Sequence, residues 1–114
     1  MLILNTMGLY GEYFSPIIDG KKKIEVRLFD EKRRKIKVSD KIEFIKVPEL
    51  DEQLQVTVTD LMKYDSFQEM YEDIPFEEFG TKGWTLEEML KGTYEIYTPE
   101  QEKKWGVLAI KIKY

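Results

Sequence analysis

The chain contains no cysteine and no histidine among its 114 residues. Without thiols there is no disulfide framework and no thiolate metal site, and cysteine usage says nothing of the redox compartment. Without imidazole as well, Ser-His-Asp and Cys-His nucleophile systems and the usual zinc sites are excluded. Any chemistry falls to Lys, Glu, Asp, Tyr, Ser or Thr tuned by burial, and no cofactor or metal is expected. Long apolar runs are missing too, none approaching the roughly 18 residues that span a bilayer. The opening MLILNTMGLYGEY has no basic region ahead of its apolar residues and soon meets glycine and glutamate, unlike a secretory signal. The expectation is a soluble, cytoplasmic protein with no membrane partner. Repeats, low-complexity tracts and Pro/Gly/Ser-rich linkers are also lacking, so a single domain over residues 1–114 is expected, able to bury roughly two-thirds of its unfolded surface.

What is present is an uneven distribution of charge. The net charge is −4, yet residues 21–41 hold ten Lys/Arg against four Asp/Glu. An acidic whole argues against indiscriminate binding to polyanions, whereas a local basic excess can draw one phosphate-bearing ligand to one face.

Periodicity supplies the elements. Phe14, Ile17 and Ile18 recur at helical spacing from about Tyr10 to Asp19, with Pro16 shortening the helix and Gly20 placed where a left-handed, helix-ending residue is favoured. Lys22 to Leu28 alternates, with Ile24, Val26 and Leu28 on one face and Lys23, Glu25 and Arg27 on the other. A charged connection with one helical turn leads to strands at Lys41 to Val47 and Leu54 to Met62. Ser66, Thr85 and Thr98 each stand three residues before a Glu or Gln, the capping-box spacing, so short helices follow each. Pro99 suits a first helical position, and Gly92 is expected to stop the middle helix. Leu108, Ile110, Ile112 and Tyr114 give a last strand one apolar face. Helices gathered between the third strand and the last fit a small α+β barrel better than a doubly wound sheet.

Gly20-Lys21-Lys22-Lys23-Ile24-Glu25-Val26-Arg27 reads G-x-K-x-x-E-x-R, and on these residues the chain resembles the ASCH family, a branch of the PUA-like superfamily. The resemblance continues through LFDEKRRKIKVSDKIEF, where Ser39-Asp40 stands at the family's usual Gly-Asp turn, and through YDSFQEMY and YEIYTPEQEKKWGVLAIKI. It implies a small PUA-like β-barrel of about five or six strands with short flanking helices, and a cleft beside the barrel walled by Lys22, Glu25 and Arg27. Gly20 becomes the hinge into that wall. The expected ligand is RNA or a modified nucleotide or nucleoside.

The chemistry of these side chains suits such a ligand. Arg27 can offer its planar fork to a phosphate or base edge, Lys22 a point charge, and Glu25 an acceptor for an exocyclic amine. Lys22 has the opposite strand parity to Glu25 and Arg27, so it belongs on the turn before the alternation or at the lip of the cleft. Tyr13 and Trp84 are the aromatic candidates for stacking. Arg33 and Arg34, within the basic run Lys32 to Lys37, are candidates for tracking a phosphate backbone.

Two other readings stand beside this one. Some family members resemble amidohydrolases acting on N4-acetylcytidine, with a Lys, a Thr three residues later and a loop Glu; here Lys22 matches, but Glu25 occupies the Thr position, and Glu77 and Glu78 are the nearest upstream carboxylates to Trp84. Lys22 and Glu25 are then the catalytic candidates. A plain interaction module is the third, with Glu49-Leu50-Asp51-Glu52 or the carboxylates Glu69, Glu72 and Asp73 docking a basic partner.

Overall fold

The computed structural model describes residues 4–10 and 20–114. The helix expected from about Tyr10 to Asp19 falls, from residue 11 onward, outside the described residues, and Tyr13 lies outside them too. Tyr10 itself ends a strand that periodicity did not announce. This is β1 (Leu4–Tyr10), followed by β2 (Ile24–Leu28), a 3-10 turn at Arg33–Lys35, β3 (Lys41–Val47) and β4 (Gln53–Tyr64). Then come α1 (Phe67–Asp73), a second 3-10 turn at Phe76–Phe79, α2 (Leu86–Tyr94), α3 (Pro99–Trp105) and β5 (Val107–Lys113).

The five strands form one mixed sheet in the order β1-β3-β4-β5-β2. β1 runs parallel to β3, and the remaining pairs are antiparallel. The sheet curls into a half-barrel, so that its two edge strands approach each other: Arg27 Nη2 on β2 donates to the Gly8 carbonyl on β1 at 3.3 Å. β1 buries Met7 and Leu9, alternate residues, but Gly8 between them contributes no side chain to a strand pattern. A Cβ at Gly8 would sit 3.1 Å from Val47 Cγ1, so the parallel pairing with β3 favours the bare residue.

Two buried clusters explain why β5 is so apolar. Leu108, Ile110 and Ile112 pack inside the half-barrel with Ile42, Phe44, Val56 and Val58. Val107 and Ala109 point the other way, into a second cluster with Ile24, Leu28, Phe67, Met70 and Met89 beneath the helices. β5 therefore carries two apolar faces over Val107 to Ile110, where alternation had suggested one. Each fully buried Leu, Ile or Phe contributes about 1.5–3 kcal/mol of transfer free energy.

β4 is longer than its β-branched stretch, and it sustains this length through a register shift between Val58 and Asp60, a bulge that re-aims the strand from β3 towards β5. The expected turn before β3 is present: Ser39 adopts a left-handed φ of 81°, and the buried Asp40 carboxylate accepts from Lys37 N at 3.0 Å. Thr85 and Thr98 form complete capping boxes. Ser66 accepts from Glu69 N, while the Phe67 N–H donates to Glu102 Oε2 of α3 at 2.7 Å. Gly92 does not stop α2, which runs on to Tyr94. The turn continues because the Thr93 carbonyl accepts from both Ile96 N and Tyr97 N, carrying the hydrogen bonding past the glycine.

Candidate functional site

The strand alternation of β2 sets Glu25 and Arg27 on one face, and Lys22 reaches them from the extended residues before the strand. Lys22 Nζ lies 3.1 Å from Glu25 Oε1, and the same oxygen accepts from Val26 N at 2.9 Å. The hydroxyl of Tyr114 donates to the Lys22 carbonyl and fixes this segment from β5's end. Glu25 is 3% exposed. Burial by itself pushes its pKa up, but Lys22, Arg27 and the Val26 N–H outweigh it and hold the carboxyl below the ordinary carboxylate range. Glu25 is therefore an acceptor-only carboxylate.

That carboxylate is only half used. Its Oε2 has no hydrogen-bond partner among the described residues, since Arg27 Nη2 stands 3.7 Å away, beyond hydrogen-bond reach. Arg27 Nε and Arg33 Nε are buried and unpartnered in the same way. Arg33 is held by Asp30, with Nη1 on Oδ2 at 3.1 Å and its backbone N on Oδ1 at 3.0 Å.

These groups line a pocket of about 390 Å³ at the seam between β1 and β2. Tyr71, Phe79, Met89 and Tyr97 supply apolar wall. Trp84 and Ile96, 47% and 51% exposed, stand at its mouth. Burial raises the Tyr97 hydroxyl's pKa, Arg27 partly opposing it. Thr81 and Thr93 also face the pocket, but their hydroxyls donate to the Phe76 and Met89 carbonyls. Gly92 lines it as well, and a Cβ there would meet nothing within 4 Å.

A second cleft of about 430 Å³ lies against the same two segments, lined by Gly20, Lys21, Lys23, Glu77, Glu78 and Lys82 among others. The segments are joined by Lys23 N donating to the Glu78 carbonyl at 2.8 Å. Lys22 and Thr81 face the pocket, whereas their neighbours Lys21, Lys23 and Lys82 face the cleft.

The structure thus brings Lys22, Glu25, Arg27 and Trp84 to one pocket. Gly20, with φ of 72°, lines the other cleft. Glu77 and Glu78 also lie there rather than beside Lys22. Arg33 and Arg34, paired in sequence, part company: Arg33 enters the pocket, and Arg34 lies over the Phe29 ring at 4.9 Å. Thr81, Met89 and Thr93 carried no local signal of a site, because a pocket wall assembled from loops and a helix has no period of its own. Among the described residues, no group of three or more His, Cys, Asp or Glu is placed to hold a metal ion, and no helix is long and apolar enough to cross a membrane.

The ASCH domain model matches residues 7–114. The chain belongs to the ASCH family. A crystal structure of the hypothetical protein PH0355 is 42% identical, covering 97% of this chain and 98% of the other with a TM-score of 0.85. The solution structure of protein PF0455 from Pyrococcus furiosus is 40% identical, covering 97% and 96%, with a TM-score of 0.76. A mutant of the ASCH protein of Zymomonas mobilis, at 13% identity and a TM-score of 0.63, shares the fold over 97% of this chain and 68% of its own. No curated protein matches the chain. ASCH domains have a PUA-like fold generally linked to RNA binding.

Proposed function

We propose that this ASCH protein binds RNA, or a modified nucleotide, by taking a base into the pocket beside β2. The observation that carries the reading is the buried oxygen Glu25 Oε2, which has no hydrogen-bond partner among the described residues, 3.7 Å from Nη2 of Arg27, whose Nε likewise has none among them. A buried polar atom left unsatisfied costs about 1–3 kcal/mol, more when charged. A ligand that presents an N–H beside a lone pair satisfies both atoms together, and base edges carry that juxtaposition: cytosine and adenine place an exocyclic amine next to an acceptor. The apolar walls and the ring of Trp84 at the mouth suit a planar base, for which stacking is worth about 1–3 kcal/mol.

Binding fits these contacts better than hydrolysis. An amidase needs a free nucleophile or activated water with a base beside it. Lys22 is already committed to Glu25 at 3.1 Å, and the pocket hydroxyls of Thr81 and Thr93 are spent on backbone carbonyls.

Incubation with short single-stranded RNAs and with N4-acetylcytidine, following binding and acetate release together, separates the readings. Saturable binding is expected, lost in Arg27→Ala and at least tenfold weaker in Glu25→Gln, without acetate release. Turnover abolished by Lys22→Ala overturns it in favour of the amidohydrolase. Engagement of neither ligand overturns both and leaves an interaction surface such as Glu49 to Glu52, where Leu50 is well exposed.

A further inference from the structure

The pocket does not end at its walls: a group of cations outside any ion pair among the described residues stands beyond each end of β2. Before the strand, Lys21 and Lys23 share the second cleft with Lys82. After it, Phe29 carries Arg34 on its ring at 4.9 Å and Lys63 at 4.9 Å. Phe29 N donates to the Gly106 carbonyl at 3.0 Å, which brings the end of α3 alongside this residue, and there Lys104 lies over the Trp105 ring at 4.8 Å. All six cations are exposed. Among the described residues, the ion pairs within 4.0 Å engage Lys22, Arg27, Arg33 and Lys46 and none of these six.

The manner of holding matters. A carboxylate partner would neutralise a cation, whereas a ring face positions it while leaving its charge to act outward. Arg34 is fixed further by its Nε donating to the Phe29 carbonyl at 3.1 Å. In the cleft, Glu77 and Glu78 reduce the field of the three lysines without cancelling it. Seven residue steps of extended chain separate Lys22 from Phe29, about 23 Å at a strand's rise. A free nucleoside confined to the pocket would touch neither end. A strand of about four nucleotides, the low end of single-strand site sizes, reaches both.

We propose that the ligand occupies the pocket as one nucleotide of a single strand whose phosphates rest on Lys21, Lys23 and Lys82 at one end of β2 and on Arg34, Lys63 and Lys104 at the other. This rests on the reading that the pocket takes a base, and it specifies the ligand as a polynucleotide rather than a nucleoside. Each phosphate neutralised on a single strand contributes about −0.7 to the slope of log affinity against log salt, so the roughly four phosphates of such a strand give about −3.

The test uses a fluorescein-labelled single-stranded RNA octamer of mixed sequence and the four nucleoside 5′-monophosphates, measured over a salt series. The expected result is an octamer at least tenfold tighter than any monophosphate. The triple variants Lys21→Gln/Lys23→Gln/Lys82→Gln and Arg34→Gln/Lys63→Gln/Lys104→Gln should each flatten the octamer's salt slope by about 1.4, roughly two phosphates' worth, and leave monophosphate binding unchanged. Equal affinity for octamer and monophosphate, with slopes unmoved by either triple variant, overturns the strand path and leaves the pocket reading standing. Octamer binding that survives Arg27→Ala overturns the seated base and the path built on it. Displacement of the octamer by an equal charge of oligoglutamate overturns it in favour of an acidic peptide, and failure of every probe to bind overturns both proposals.

Discussion

Glu25 concentrates the energetics of the site in one side chain. Its Oε1 accepts two hydrogen bonds, while its Oε2 has no partner among the described residues. Replacing it by Gln leaves Lys22 and Arg27 largely buried without a counter-charge, and removing one member of a buried pair typically costs about 3–5 kcal/mol. Because both cations keep some contact with solvent, we expect Glu25→Gln to lower unfolding stability by about 3 kcal/mol at pH 7, read by urea denaturation. The folded-state pKa is depressed, so the unfolded chain takes up the proton first as pH falls. Glu25's contribution is therefore complete above the unfolded value of about 4.3 and is lost below it, towards the folded pKa. The gap between wild type and Glu25→Gln should close across that acid window; a gap that stays constant to pH 2 contradicts the assignment. Gly92 offers the reverse test. Glycine inside a helix costs roughly 0.5–1 kcal/mol relative to alanine, and at this position nothing packs against the missing Cβ. Gly92→Ala should raise stability by about that amount while weakening base binding, since the added methyl projects from a pocket-lining position.

Between strands and helices, the informative residues are those that join elements. Glu102 of α3 accepts from Phe67 N at the start of α1 and from the Tyr94 hydroxyl at the end of α2, so one carboxylate ties three helices. The Tyr94 hydroxyl is pushed up to about 12 by partial burial and by Glu102. In Glu102→Gln, ultraviolet titration should find it closer to its ordinary value of about 10, with a stability loss of about 2 kcal/mol from the weakened charged hydrogen bonds. Ser39 makes a second element-scale case. It takes a left-handed φ that costs a non-glycine residue about 1 kcal/mol or more, so Ser39→Gly should raise the urea midpoint. Both the turn at Ser39-Asp40 and the caps at Thr85 and Thr98 were legible in the sequence, because turns and caps are local chemistry. So were β2, β3 and β5, whose alternation marks a buried face. β1 escaped because an edge strand with Gly8 at its middle shows too little pattern. The continuation of α2 past Gly92 escaped because tertiary packing, not propensity, decides where a helix of marginal residues ends. The pocket was legible in part: Lys22, Glu25 and Arg27 share one strand and its approach, and Trp84 and Arg33 stood out by residue type, whereas Thr81, Met89 and Thr93 arrive from segments that no spacing relates.

Across the whole molecule, the sheet order sets where the structure opens. β4 and β5 sit inside the sheet with partners on both sides, while β1 and β2 each have one strand partner. Native-state amide exchange should find β5 slowest and β1 faster; a β1 as protected as β5 would mean that the seam is closed by more than Arg27. That seam gives the bond from Arg27 Nη2 to the Gly8 carbonyl a mechanical meaning. It acts as a clasp, and its pin is also one of the groups we propose to reach the ligand. A base that draws the guanidinium towards itself loosens the clasp, and a strain that parts β1 from β2 frees the same guanidinium to be drawn. Occupancy and the tension across the half-barrel's lips are then two handles on one equilibrium, so pulling on the chain becomes a way to tune what the pocket holds.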